Sequence, residues 1–548
     1  MSAQPYSLLI KHILKMPIAQ ASRREIVYRG DRRFTYPQFV ERVNRLGGVL
    51  AGLGAAMGSR IAVMDWDSHR YLEAYFAVPM SGAVLMMVNI RLSPDQIAYT
   101  IDHSGAEILF VNSDFLPVLS AIRDRLPRLR AIVLMTDEAS PPDLPEGFAG
   151  EYEALLAQVP AEHDFPDFDE NTQATTFYTT GTTGLPKGVM FSHRQLVLHT
   201  MVIMATMAMA GLNGRISRED VYMPLTPMFH VHAWGFPYAA TMMGMQQVYV
   251  GRFLPDVVCR LLRTERVTVS HCVPTIMHMI LTAPAAKDID LTGWRVIIGG
   301  SALPRALCEA GLARGLDIYA AYGMSETCPI LTMTQLRGDI LDAAENRNEA
   351  EVAIRISAGL PATLVELRVV DDAMNDVPRD GKSVGEVVAR SPFLTPGYAG
   401  NPEASDALWR GGWLHTGDIG TLDADGYLRI VDRVKDVIKT GGEWISSIGI
   451  EDIILTHPGV AEAAVVGVPD ERWGERPVAF VVLKQNAAQD EEAIRSHVRA
   501  RADLGEISRY AVPDRIVIVE ALDKTSVGKL DKKTMRIRAT ETSPHAVA

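Results

Sequence analysis

Tyr178-Thr179-Thr180-Gly181-Thr182-Thr183-Gly184-Leu185-Pro186-Lys187-Gly188 is the stretch from which the rest of the chain can be read. Its three glycines let backbone N–H groups come close to an anion. Four threonine hydroxyls add donors, and Lys187 adds positive charge. Ala174-Thr175-Thr176-Phe177-Tyr178 before it and Gly188-Val189-Met190-Phe191 after it carry the β-branched and aromatic residues of strands. The spacing therefore predicts a hairpin whose tip can hold phosphate oxygens. The same residues also suit a Gly/Thr hairpin that binds nothing, and the rest of the chain has to decide.

A Walker A loop requires G-x-x-x-x-G-K-[ST] between a strand and a helix. Here Lys187 is followed by Gly188, and both flanks read as strands. Gly381-Lys382-Ser383 contains the GKS triplet, but Asp376 stands where the first glycine belongs. There is no G-x-S-x-G elbow, no H-E-x-x-H and no G-x-G-x-x-G after a strand. Ordinary P-loop, serine-hydrolase, zinc-protease and dinucleotide chemistries are thereby disfavoured.

At 548 residues the chain is long enough for two or more cores. The 47% hydrophobic content is that of a globular protein. A net charge of −12 argues against nucleic acid or an anionic membrane as the main partner. Cys259, Cys272, Cys308 and Cys328 form no CxxC pair and read as reduced core thiols of a cytoplasmic protein. The first residues lack the basic and apolar blocks of a signal peptide. The apolar run from Met201 to Leu212 is too short to span a bilayer and reads as a buried helix.

Elements alternate along the N-terminal half. Gly30-Asp31 marks a hairpin. Thr35-Tyr36-Pro37-Gln38 and Ser93-Pro94-Asp95-Gln96 are capping boxes with proline at the helix start. Residues 60–64, 84–88 and 107–111 read as strands, and 71–80 as a helix. This order predicts parallel α/β sheet. Residues 137–150, with Pro141, Pro142 and Pro145, read as a surface connection. A second alternation runs from Val221 to Tyr322. After Val365, residues 386–390 and 427–431 suggest a smaller sheet. The charged break Asp432-Arg433-Val434-Lys435-Asp436 sets the main boundary, giving an N-terminal domain 1–433 and a compact α+β domain 434–548. In the latter, residues 450–456 and 491–502 read as helices and 463–466, 478–482 and 515–519 as strands. Residues 541–548 form a polar tail expected to be disordered.

Three further stretches suit a nucleotide. Gly299-Gly300-Ser301-Ala302 follows the apolar strand 296–298, the position where open α/β sheets bind ligands. Ala321-Tyr322-Gly323-Met324-Ser325-Glu326-Thr327 offers an aromatic face for a base and a carboxylate for Mg²⁺. Trp413-Leu414-His415-Thr416-Gly417-Asp418 puts a carboxylate in a tight turn, suited to ribose hydroxyls. Taken singly, each also reads as a plain turn or a core residue.

Together with Asp432-Arg433-Val434-Lys435-Asp436 and Thr525-Ser526-Val527-Gly528-Lys529, these stretches occur in one order that resembles the adenylate-forming superfamily. That superfamily includes acyl-CoA synthetases, luciferases and peptide-synthetase adenylation domains, and the resemblance covers essentially the whole chain. Gly441-Gly442-Glu443-Trp444-Ile445-Ser446-Ser447 narrows it to acyl-CoA synthetases. Pro227-Met228-Phe229-His230-Val231-His232-Ala233-Trp234-Gly235 makes the chain most similar to medium-chain fatty acyl-CoA ligases and 3-methylmercaptopropionyl-CoA ligases.

The resemblance implies an ATP-dependent ligase that makes an acyl-adenylate and then passes the acyl group to CoA, releasing AMP and pyrophosphate. It implies a large N-terminal domain of α/β sheets with a small β subdomain, and a mobile smaller C-terminal domain. Thr179, Thr180, Gly181, Thr182, Thr183, Gly184 and Lys187 would grip the β- and γ-phosphates. Gly300, Ser301, Ala302, Ala321, Tyr322, Gly323, Met324 and Ser325 would hold the adenine side, and Asp418, Ile430 and Arg433 the ribose side. Glu326 with Thr179 would bind Mg²⁺. His230, Val231, Trp234, Gly235, Gly299, Gly323 and Pro329 would line the acyl site, with Trp234 as its gate. Lys529 would bridge carboxylate and α-phosphate, a task that suits a mobile point charge. Lys435 would be the hinge whose rotation brings Lys439, Gly441, Gly442, Glu443 and Trp444 to CoA. Catalysis would thus rest on Lys529, His230, Glu326 and Lys439. A homodimer is also a family expectation.

The pattern departs at Gly449, where the family usually has an acidic residue, and at Asp523, where proline is common. His230 and His232, read on a strand, suggest a metal pair, but no third ligand is apparent. Rival readings are a ligase for aromatic or alicyclic acids, an adenylating enzyme with a carrier-protein acceptor, and a non-catalytic nucleotide or acyl-CoA binder. The methionines, 24 in all, suit an adaptable apolar pocket and equally an ordinary core.

Overall fold

Short apolar runs without polar alternation form strands covered on both faces. Val84–Met87 and Ala131–Met135 are such runs, and every residue in them and in the strands Ile108–Asn112 and Val269–Cys272 is buried. The computed structural model describes residues 6–138, 144, 146–179, 185–440, 443–485, 487, 490–524 and 530–541. It divides into two compact units, Met1–Glu366 with Ala389–Leu414 and Leu367–Val388 with His415–Ala548. The boundary read at 433/434 falls inside the second unit.

The first unit holds two large sheets. One runs, in spatial order, Gly150–Glu151, Ala131–Met135, Ile108–Asn112, Arg60–Met64, Val84–Met87, Gln173–Thr179, Lys187–Ser192. Its inner strands are parallel, and its last pair is antiparallel. The other has nine strands and includes the parallel series Val221–Pro224, Val269–Cys272, Arg295–Ile298 and Asp317–Gly323. Helices between the strands cover these sheets, as the alternation predicts.

Local signals set the helix starts. Thr35 and Gln38 close a capping box, with the Thr35 N–H donating to Gln38 Oε1 at 2.8 Å. Ser93 and Gln96 do the same, and Ser192 and Gln195 form a third box. The helix expected at 71–80 begins earlier, at His69, because Ser68 caps it by accepting from the Tyr71 N–H.

The run 201–212 is only partly buried. It lies in the helix His193–Met209 and the turn beyond, and Met201, Met209 and Leu212 are exposed. No helix among the described residues is long and apolar enough to cross a membrane. The four cysteines are buried and free. Of the connection 137–150, residues 139–143 and 145 lie outside the described residues, as does 542–548 of the tail.

The second unit contains a four-stranded sheet in the order Glu366–Val370, Gly385–Arg390, Leu414–Leu422, Leu428–Arg433. It also contains a five-stranded sheet built on the antiparallel pair Val460–Asp470 and Gly474–Leu483. Arg515–Ile518 adds parallel to the latter strand, and the helices Ser447–Leu455 and Glu491–Asp503 accompany the sheet. The fold is therefore mixed α/β with a large N-terminal and a small C-terminal part.

Candidate active site

The opening hairpin forms as its residues suggest. Gln173–Thr179 pairs antiparallel with Lys187–Ser192, with Thr179 opposite Lys187 and Tyr178 opposite Gly188. Its tip, with Thr180, Gly181, Thr182, Thr183 and Gly184, lies outside the described residues. The base is held firmly. Tyr178 Oη meets His103 Nδ1 at 2.8 Å, and a Cβ on Gly188 would stand 3.2 Å from both the Tyr178 ring and Ala399 Cβ. Any larger residue would push the Tyr178 ring or Ala399 back by a few tenths of an ångström.

Two other predicted stretches meet at one sheet edge. Ile298 pairs in parallel with Ala320, so Gly299–Ala302 leaves the C-terminal end of one strand beside Ala321–Ser325, which spans the C-terminal end of its neighbour. This is where open sheets bind ligands. Gly300 takes φ +78°, which turns the chain at once. Gly323 lies against Pro329 so closely that a Cβ would fall 1.7 Å from the Pro329 carbonyl oxygen. Tyr322 is half-buried beside them.

Glu326 follows in the short turn Ser325–Thr327 and is 6% exposed. Tyr398 Oη donates to its Oε1 at 2.6 Å, and the Thr395 N–H donates to its backbone carbonyl at 2.9 Å. Lys187 Nζ lies 4.7 Å from the centre of the same Tyr398 ring. Tyr398 thus links the hairpin lysine to the buried carboxylate, and nothing in the sequence marks it for that role. Among the described residues no group of three or more His, Cys, Asp or Glu could hold a metal. A single buried carboxylate such as Glu326 fits Mg²⁺, which binds through one or two carboxylates and takes its other ligands from phosphate and water.

The segment 230–235 is not a strand. Val231, His232, Ala233, Trp234 and Gly235 have φ of 48°, 56°, 45°, 58° and 75°, a left-handed turn in which only the last residue is glycine. Each of the others costs roughly 1–2 kcal/mol in this conformation, so surrounding packing must impose it. His232 is fully buried among Tyr75, Phe177, Phe191 and Tyr238, with its Nε2 2.8 Å from Thr175 Oγ1. Burial pushes its pKa down to about 3. It is a neutral core residue, and the suggested His230–His232 metal pair fails. His230 is half-buried at the start of the turn.

Trp234 is buried at the other end of that turn. It stacks on His271 with ring centres 5.0 Å apart, and its Cη2 lies 3.0 Å from where a Cβ on Gly299 would stand. His271 is itself fixed, with Nε2 2.7 Å from Tyr222 Oη and Nδ1 3.0 Å from Thr226 Oγ1. Burial holds its pKa at about 3. His271 is a second residue that sequence reasoning passes over, since a histidine inside the strand Val269–Cys272 looks like ordinary core.

In the second unit, Asp418 stands opposite Arg433, with Oδ1 3.3 Å from Nε. Asp418 is buried, and its N–H donates to Thr416 Oγ1 at 3.1 Å. Ile430 is half-buried on the same strand and pairs with Gly420. Lys435 follows, its pKa lowered by partial burial and then by Arg433. Lys439 and Trp444 face each other across the next ladder, and Glu443 pairs with Thr440. Gly441, Gly442 and Lys529 lie outside the described residues.

The chain beside that lysine is anchored. Lys524 pairs with Leu530, and Lys532 Nζ reaches Glu451 at 2.6 Å and Ser447 Oγ at 2.5 Å. Gly449 sits in the first turn of Ser447–Leu455, and a Cβ there would make only ordinary contacts.

Comparison with known proteins shows the family. Residues 16–399 match the model of the AMP-binding enzyme family, and residues 449–529 match that family's C-terminal domain. The chain is 39% identical over 536 residues to a long-chain-fatty-acid–CoA ligase of Thermus thermophilus, covering 95% of this chain and 94% of that one. It is 40% identical over 519 residues to a 3-methylmercaptopropionyl-CoA ligase of Ruegeria pomeroyi, covering 92% of each. Among solved structures it resembles the anthranilate CoA ligase AuaEII in complex with anthranoyl-AMP, with a TM-score of 0.84, 26% identity and 98% coverage of both chains.

Proposed function

The chain belongs to the AMP-binding enzyme family, and from that premise we propose that this acyl-CoA ligase activates an apolar carboxylate, a short- or medium-chain fatty acid or a methylthioalkanoic acid. The observation that carries the apolar reading is the left-handed turn at 231–235, which buries Trp234 against Gly299 and His271. Acids with charged tails would have to desolvate their charge there. Relatives named as ligases of long-chain fatty acids, medium-chain fatty acids and 3-methylmercaptopropionate support it.

In the first half-reaction a carboxylate oxygen attacks the α-phosphorus of ATP, and pyrophosphate leaves. In the second the CoA sulfur attacks the acyl carbonyl, and AMP leaves. Two anions must meet in the first step, so its barrier is largely electrostatic. We assign Lys529 to the bridge between carboxylate and α-phosphate, and His230 to the same reacting centre. Thr179–Gly184 and Lys187 take the β- and γ-phosphates. Gly300–Ala302 and Ala321–Ser325 take the base, and Asp418, Ile430 and Arg433 the ribose. Mg²⁺, held by Glu326 and Thr179, would supply charge neutralisation on the phosphates.

Trp234, Val231, Gly235, Gly299, Gly323 and Pro329 form the acyl site. Lys439, Gly441, Gly442, Glu443 and Trp444 serve the thiol step. We assign the hinge between the half-reactions to Lys435, with 1–433 and 434–548 as the moving parts.

A panel of carboxylates scored by AMP release tests the substrate reading. Medium-length apolar acids should lead it, and a preference for acetate or for polar acids would overturn it. Removal of Lys529 as Lys529→Ala should abolish acyl-AMP formation, and retained adenylation would refute its assignment.

A further inference from the structure

We propose that Tyr398 is a positioning residue for nucleotide binding, its hydroxyl holding the Glu326 carboxylate and its ring holding the Lys187 ammonium. The contacts are the 2.6 Å bond from Tyr398 Oη to Glu326 Oε1 and the 4.7 Å approach of Lys187 Nζ to the ring centre. A hydroxyl and a ring face on one side chain connect a carboxylate and a cation that are otherwise far apart in the chain.

The backbone around Tyr398 is fixed to both of the groups it touches. On the carboxylate side, the Thr395 N–H donates to the Glu326 carbonyl at 2.9 Å. On the hairpin side, Thr395 Oγ1 donates to the Met190 carbonyl at 2.9 Å and the Ala399 N–H to the Gly188 carbonyl at 2.8 Å. Tyr398 itself bridges Val189, and its N–H donates to Ser405 Oγ at 2.9 Å. A side chain at Gly188 would crowd this segment at Ala399. Tyr398 therefore cannot follow one partner without the other.

Burial, and then the Glu326 charge, raise the Tyr398 pKa well above its ordinary value. The phenol stays protonated, so it donates to Glu326 at every working pH. A carboxylate oriented in this way needs no reordering when a cation arrives. A lysine ammonium has three donors, and a ring on one side leaves the others for phosphate.

This inference rests on the nucleotide reading above, and the experiment separates the two. Equilibrium ATP binding to the full chain is measured by calorimetry with Mg²⁺ and with EDTA, for the wild type, Tyr398→Phe and Tyr398→Leu. Circular dichroism checks that both variants fold. Tyr398→Phe keeps the ring and loses the hydroxyl. It should bind ATP in EDTA as the wild type does, and bind ATP with Mg²⁺ on the order of tenfold more weakly. Tyr398→Leu loses both groups and should also weaken metal-free ATP by about threefold. Wild-type affinity of Tyr398→Phe in Mg²⁺, or equal losses for that variant with and without Mg²⁺, would overturn the inference. Failure of the wild type to bind ATP at all would overturn the nucleotide reading instead.

Discussion

Lys439 stands directly opposite Trp444 across an antiparallel ladder, and its ammonium lies 4.5 Å from the indole centre. The pair presents a cation and an aromatic face at the strand ends beside Gly441-Gly442, the stretch that resembles the CoA loop of the family. A thiol substrate with phosphates and an adenine can use both. Lys439→Ala should slow thioester formation at least about tenfold while leaving the acyl-AMP burst unchanged. Single-turnover assays with and without CoA separate the two steps, and equal losses in both would refute the assignment.

Trp234 and His271 form one stacked unit, which the proposed function makes the apolar wall of the acyl site. Trp234→Ala removes the wall and should raise kcat/KM for acids two methylenes longer than the wild-type optimum by about tenfold relative to that optimum. His271→Ala should shift the profile the same way but less, because it only withdraws the support. A chain-length series of saturated acids reads both, and an unchanged profile in Trp234→Ala would place the acyl chain elsewhere.

Gly323 and Gly449 make opposite predictions. A Cβ at Gly323 would sit 1.7 Å from a backbone oxygen, so Gly323→Ala forces the 321–329 segment apart. It should abolish ATP binding and cost more than about 3 kcal/mol of stability. At Gly449 an added Cβ meets only ordinary contacts, and the residue is the third of a helix capped by Ser446. Gly449→Glu should complete a capping box there and stabilise the second unit by about 1 kcal/mol. Thermal unfolding of the two variants checks both signs.

Glu451 carries a pH signature. Burial lifts its pKa from 4.5 to about 7, with Lys532 opposing the shift. Between those values the folded protein holds a proton that the unfolded chain has released. Stability of the second unit should therefore fall as pH rises from about 4.5 to about 7. Glu451→Gln should flatten that slope. The slope is the readout, because the substitution also takes from Lys532 its carboxylate partner. Amide-exchange protection in Val460–Asp470, corrected for intrinsic exchange, measures it, and an unchanged slope would contradict the buried-carboxyl account.

What could be read in the chain beforehand was what is local. The boxes at Thr35–Gln38 and Ser93–Gln96 involve residues three apart, and they formed as spelled. The parallel strands were legible because runs such as Ala131–Met135 have no polar face. The ordered motifs were legible because each occupies one short stretch. The turn at 231–235 was not, since its φ values are imposed by an aromatic cluster and by His271 rather than by its own residues. Tyr398 was not, because its partners come from two other stretches of chain. The division at 366/367 was not, because it depends on which distant strands complete the four-stranded sheet.

A ligase that joins a carboxylate to CoA through an adenylate leaves a fixed set of products. The most direct measurement incubates the full chain with ATP, Mg²⁺, CoA and octanoate and follows every product by mass spectrometry. One AMP, one pyrophosphate and one octanoyl-CoA should form for each octanoate consumed, with acyl-AMP accumulating when CoA is left out. ADP with phosphate, or acyl-AMP that free CoA never discharges, would contradict it.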